Sequence, residues 1–135
     1  MKKETTILVV DDELMMRQLL ERILARDGYR VFCAAGGEEA LAIMAREQIS
    51  IVISDLQMTG MSGFELLKAI KKDFPQASII MMTAFGDTYT VKDALLLGAD
   101  EYITKPFKSF EISMVVERAY WRQLSQSVSQ TAQTD

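Results

Sequence analysis

The sequence predicts an α/β domain in which a parallel sheet is covered by helices on both faces. Three observations carry this. Short apolar runs alternate with longer amphipathic ones along the chain, five times over. The short runs are almost continuously apolar, as strands buried on both sides must be. The acidic and hydroxyl residues that break the pattern fall where the short runs end.

The elements follow in order. Ile7 to Val10 is apolar and partly β-branched and stops at Asp11-Asp12. From Glu13 to Arg26, Leu14, Met15, Met16, Leu19, Leu20, Ile23 and Leu24 recur at helical spacing, and Asp27-Gly28 closes that helix with a C-terminal glycine. Tyr29 to Ala34 reads as a second strand, ended by Gly36-Gly37, and Ala40, Leu41, Ile43 and Met44 mark a second helix. Ile49 to Ile53 is the third strand. Gly63 to Lys72 is the third helix, with Phe64, Leu66, Leu67 and Ile70 apolar, and Phe74-Pro75 breaks it. Ser78 to Met82 is the fourth strand, Asp87 to Leu97 a helix closed by Gly98, and Glu101 to Thr104 a short fifth strand. A last helix starts near Lys108 and includes Val115, Val116 and Ala119.

At 135 residues the chain suits one domain, expected over residues 1–121. Residues 122–135 are rich in Ser, Gln and Thr, a polar tail or linker, or a continuation of the last helix. The hydrophobic share of 49% and charged share of 25% are those of a globular protein. A net charge of -4 and the lack of a Lys/Arg stripe argue against direct nucleic-acid binding. No apolar run approaches membrane-spanning length, and the N-terminal one is too short for a signal peptide, so no membrane role is expected. The single cysteine, Cys33, permits no internal disulfide, fits a reducing cytoplasm and is expected in the core. The chain has no histidine, which removes Ser-His-Asp and Cys-His catalysis, histidine-ligated zinc and any phosphohistidine role.

An open α/β sheet places its ligand site outside the carboxyl ends of the strands. Those ends carry Asp11 and Asp12, Ser54 and Asp55, Thr83, and Lys105. Ser54 reads as a turn or cap residue. Three crowded carboxylates repel one another and call for a divalent cation. An all-oxygen set suits Mg²⁺, or Mn²⁺, over zinc. With the ion present, an aspartate can attack phosphorus, and Lys105 and Thr83 can meet the phosphoryl oxygens by charge and hydrogen bond.

These landmarks resemble the receiver domains of bacterial two-component response regulators. The resemblance covers Thr6 to about Tyr120 and rests on Asp11-Asp12, on Asp55 within Ser54 to Gly63, on Thr83-Ala84, and on Lys105-Pro106-Phe107. It implies a flavodoxin-like (βα)5 doubly wound sheet of order 2-1-3-4-5, with Asp55 accepting a phosphoryl group from a sensor histidine kinase. It implies Mg²⁺ held by Asp12, Asp55 and the Gln57 carbonyl, with Asp11 acting through water. Thr83 and Lys105 would contact the phosphoryl group, and Thr83 and Tyr102 would switch together. Lys105-Pro106 would be cis. Gln57 and Phe85 occupy the positions that tune loss of the phosphoryl group, and bulky Phe85 suggests a long-lived phospho-form. Thr59 stands where the family often has proline.

The family's output surface is made by the fourth helix, fifth strand and fifth helix. Leu95-Leu96-Leu97 lies there, with two leucines expected in the core and the third exposed toward a partner or a second copy. Thr83 to Asp87 is similar to receivers attached to AAA+ transcriptional activators, so an output domain or a separate target protein are both open. Two rivals were weighed. A phosphatase of the haloacid dehalogenase type needs Asp-x-Asp after the first strand, and here the acids are adjacent. A receiver-like module that is never phosphorylated would not need the full acidic set and Lys105. No Gly-x-Gly-x-x-Gly or Gly-Lys-Ser/Thr pattern follows the first strand.

Overall fold

The computed structural model describes residues 4–84 and 91–134. Five strands and five helices alternate among them: β1 (Thr6–Val10), α1 (Leu14–Arg26), β2 (Arg30–Ala34), α2 (Gly37–Arg46), β3 (Ile51–Asp55), α3 (Gly63–Asp73), β4 (Ser78–Ala84), α4 (Val91–Leu96), β5 (Glu101–Lys105) and α5 (Ser109–Thr134). The strands form one parallel sheet of order β2-β1-β3-β4-β5, the flavodoxin-like arrangement.

Side chains on a strand alternate between faces, and here the alternation divides the core in two. Leu8, Val10, Val52, Ile79 and Met81 point to the side covered by α2 and α3, where they meet Ala40, Ile43, Phe64, Leu67 and Ile70. Ile7, Val9, Ile51, Ile53, Ile80, Met82 and Ile103 point to the other side, against Leu20, Ile23 and Leu24 of α1 and Ile112, Val116 and Ala119 of α5. Burying both faces explains why the inner strands read as unbroken apolar runs.

Strand limits differ from the sequence expectation. β3 is displaced two residues toward the C-terminus because its ladder with β1 begins at Ile51, opposite Ile7. β4 runs to Ala84 because β5 pairs with it up to Lys105. Asp55 and Thr83 therefore sit within strands and not after them. Ser54 is likewise neither turn nor cap: it is buried in β3 and its hydroxyl donates to the Asp55 carbonyl. The expected start of the fourth helix at Asp87 lies outside the described residues.

The β3–α3 connection is closed at its base. Leu56 N–H donates to the Met82 carbonyl and Gly63 N–H to the Leu56 carbonyl. Ser62 then starts α3 with a capping box, its hydroxyl accepting from Glu65 N–H while the Glu65 carboxylate accepts from Ser62 N–H. At the far end, α5 carries the polar residues 122–134 as helix, and the Gln123 side chain donates to Ser78 Oγ and the Ser50 carbonyl beneath the sheet. No helix among the described residues is long and apolar enough to cross a membrane.

Gly63 packs so closely that a Cβ there would overlap the Asp55 carbonyl oxygen and lie 2.8 Å from Leu56 Cα. Both neighbours are backbone and cannot swing aside. Gly63→Ala is expected to destabilise the fold by about 1–3 kcal/mol, read as a lower urea midpoint with an unchanged slope.

Candidate functional site

The carboxyl edge of the sheet gathers the polar residues of four strands. Asp11 and Asp12 follow β1, Asp55 ends β3, Thr83 lies one residue from the end of β4, and Lys105 ends β5. Asp11 is 0% exposed and Asp55 8%, Thr83 is buried, and Asp12 lies open at the rim. The Lys105 ammonium joins them: its Nζ is 3.2 Å from Asp11 Oδ2 and 3.2 Å from Asp55 Oδ2. The other Asp11 oxygen accepts from Glu13 N–H at 2.9 Å, and the Asp11 carbonyl accepts from Arg17 Nη1 at 2.8 Å. Across the cleft, Asp12 Oδ2 accepts from both the backbone N–H and the hydroxyl of Thr59, at 3.2 and 3.3 Å.

One oxygen each from Asp11, Asp12 and Asp55 lie within 4.8 Å of one another. This donor set fits a hard divalent cation: it is all oxygen, two members are buried, and one ammonium cannot neutralise three carboxylates. Burial pushes the Asp55 carboxyl above its ordinary range. Lys105 opposes that shift, Asp11 reinforces it, and the Gln57 backbone N–H opposes it again. Burial also works against the charge on Lys105, but Asp55 and Asp11 outweigh it, so this ammonium holds its proton more tightly than a free lysine.

The other expected positions are distributed around this centre. Gln57 is exposed on the β3–α3 loop, and the Lys105-Pro106 peptide bond is cis. Tyr102 is 41% exposed on β5. Phe85 lies outside the described residues. The expectation that two of Leu95, Leu96 and Leu97 enter the core is corrected: they are 46%, 74% and 39% exposed. Leu95 and Leu96 end α4 and Leu97 follows it, and successive side chains about 100° apart cannot all face one strand. Phe110 and Met114 of α5 are also exposed. Cys33 is only partly buried, on edge strand β2, and its thiol meets Glu21 at 3.4 Å. Sequence reasoning missed the contacts of Arg17 and Thr59 with the acids. Nothing local signals Arg17, whereas Thr59 stands out by replacing a residue that lacks an N–H.

A five-stranded α/β sheet with clustered acids and a lysine at its carboxyl edge is the architecture of a signalling phosphoacceptor class. The family model "Response regulator receiver domain" matches residues 7–117, and the chain belongs to that family. It is 37% identical over 112 residues to sporulation initiation phosphotransferase F of Bacillus subtilis, covering 83% of this chain and 90% of that one. It is 44% identical over 112 residues to the probable transcriptional regulator ycf27 of Porphyridium aerugineum, covering 83% of this chain and 46% of that protein. Among solved structures, NtrX of Brucella abortus superposes with a TM-score of 0.87 at 34% identity, covering 93% of this chain and 29% of that one. The chain spans about half the length of the ycf27 regulators it matches. Its setting is two-component signalling, where receiver domains regulate and are not enzymes in the ordinary sense.

Two outcomes follow from the electrostatics. Because the fold raises the Asp55 pKa, this group favours folding fully only below its unfolded value of about 4. That contribution is lost as pH rises through the folded pKa, and ionised Asp55 then opposes the fold. In EDTA, Asp55→Asn should therefore melt above the wild type at neutral pH, by on the order of a few degrees, and the gap should close toward pH 4 in thermal scans. Burial first, and then Glu21, pushes the Cys33 thiol up to about 11. Its alkylation by iodoacetamide at neutral pH should run roughly 100-fold slower than that of a free cysteine, as read by mass spectrometry over time.

Proposed function

We propose that this chain is the Mg²⁺-dependent phosphoacceptor of a two-component pathway and that Asp55 receives the phosphoryl group from a sensor histidine kinase. The observation that carries this reading is the Lys105 ammonium set 3.2 Å from the carboxylates of both Asp11 and Asp55, at the carboxyl ends of the strands. Asp55 Oδ attacks phosphorus as the bond to the kinase histidine breaks, and the displaced imidazole leaves with the kinase. Asp12, Asp55 and the Gln57 carbonyl would hold the metal, with Asp11 acting through water. When bound, Mg²⁺, or Mn²⁺, supplies positive charge to the phosphoryl oxygens.

Lys105 then exchanges a carboxylate partner for a phosphoryl oxygen, and buried Thr83 donates its hydroxyl to another. A charge of about -1.5 to -2 arrives at a rim whose carboxylates one lysine only partly offsets. The response passes through Thr83 and the exposed Tyr102 to the surface of α4, β5 and α5, where Leu95, Leu96, Leu97, Phe110 and Met114 present apolar side chains. An output domain beyond α5, a target protein or a second copy would read that surface. Gln57 and Phe85 set how long Asp55 stays phosphorylated. The location is cytoplasmic, and neither nucleic acid nor membrane is bound directly.

Incubation with acetyl phosphate and Mg²⁺ should yield one acid-stable, base-labile adduct per chain. EDTA or Asp55→Asn should abolish it, and Lys105→Gln should slow it roughly 10²-fold. Unchanged labelling of Asp55→Asn would sink the assignment.

A further inference from the structure

Thr59 makes a contact that the acceptor chemistry leaves unexplained. Its backbone N–H and its hydroxyl both donate to one oxygen of Asp12, at 3.2 and 3.3 Å, between residues 47 positions apart in the chain. Asp12 is the exposed member of the acidic set, whereas Asp11 is fully buried and Asp55 nearly so. An exposed aspartate with a free side chain would sample several rotamers, and holding it in one costs entropy whenever an ion binds. The two donors hold one carboxylate oxygen in place and leave the second unoccupied by them.

The loop that supplies these donors is anchored independently. Its base is closed by the Leu56–Met82 and Gly63–Leu56 backbone bonds, and its C-terminal end is fixed by the Ser62–Glu65 capping box. Gly60, next to Thr59, has a φ of +81°, a left-handed conformation that turns the chain back immediately after the contact. Thr59 is therefore carried on a rigid support and not on a free strand of loop. Gln57 lies two residues earlier on the same support.

We propose that Thr59 is a positioning residue for the divalent-cation site: it orients the Asp12 carboxylate and ties the β1–α1 edge of the cleft to the β3–α3 loop. This rests on the reading of Asp11, Asp12 and Asp55 as the cation site. Thr59 touches neither the ion nor the phosphoryl group, and acts only through Asp12. Residues behind the ligands of a metal site commonly change affinity by 10–100-fold, and an open rim places Thr59 at the low end of that range.

Mg²⁺ affinity of the full chain, measured by calorimetry without any phosphodonor, tests the assignment. Thr59→Ser keeps both donors and should bind as the wild type does. Thr59→Val keeps the backbone donor alone and should weaken Mg²⁺ binding several-fold. Thr59→Pro removes both donors and should weaken it roughly tenfold. In an Asp12→Ala background, which removes the acceptor, the Thr59→Val effect should vanish, which a merely structural role would not predict. Thermal scans in EDTA report folding separately for each variant. Equal Mg²⁺ affinity in wild type, Thr59→Val and Thr59→Pro overturns the positioning role. An equal loss of affinity in both Asp12 backgrounds also overturns it. If the wild type shows no saturable Mg²⁺ binding, the cation site itself fails, an outcome distinct from either.

Discussion

Three carboxylates converge on a sheet edge where water is partly excluded, and one ammonium, that of Lys105, stands between the two buried ones. The rest of the site depends on this imbalance. Removing one partner of a buried pair typically costs about 3–5 kcal/mol, because the other charge is left uncompensated. Lys105 therefore makes it tolerable for Asp11 and Asp55 to lie side by side, yet it cannot satisfy all three acids. The remaining negative charge suits a divalent cation, and burial leaves the Asp55 carboxylate poorly solvated. The stability of the site and the proposed acceptor chemistry thus depend on the same distances.

The sheet is what brings these groups together. Parallel pairing aligns the carboxyl ends of β1, β3, β4 and β5 on one edge, so residues from positions 11 to 105 share a cleft. Period-two alternation buries apolar side chains on both faces and confines polar ones to positions at or next to the strand ends. Gly63 belongs to this construction, because its missing side chain lets the start of α3 press against the backbone that ends in Asp55. Helix packing behind the site and acid geometry in front of it are coupled through a single close approach.

A second consequence concerns the surface. Leu95, Leu96 and Leu97, together with Tyr102, Phe110 and Met114, leave more apolar area exposed near α4, β5 and α5 than isolated surface leucines would. Lys105 ends β5, so the cleft and this surface share one five-residue strand. Beneath the sheet, Gln123 pins α5 to the start of β3 and β4, which gives the polar C-terminal residues a fixed direction of departure from the domain.

The apolar periodicities by themselves determined the fold class, the alternation of five strands and five helices, and the residues that stand at the strand ends. Those signals are local: a strand buried on both faces must be apolar along its length, and its chemistry can appear only where it stops. The lack of histidine and the single cysteine likewise excluded whole classes of chemistry before any contact was known. The strand limits were not legible, because β3 starts where β1 offers it partners and β4 ends where β5 does. Nor was the exposure of Leu95 to Leu97, which depends on how the end of α4 sits beside β5. Above all, only the tertiary structure decided that Thr59 and Arg17 attend the acids. Those pairings arise from the folding of distant segments onto one edge, and no spacing in the chain encodes a distance of 3 Å across a cleft.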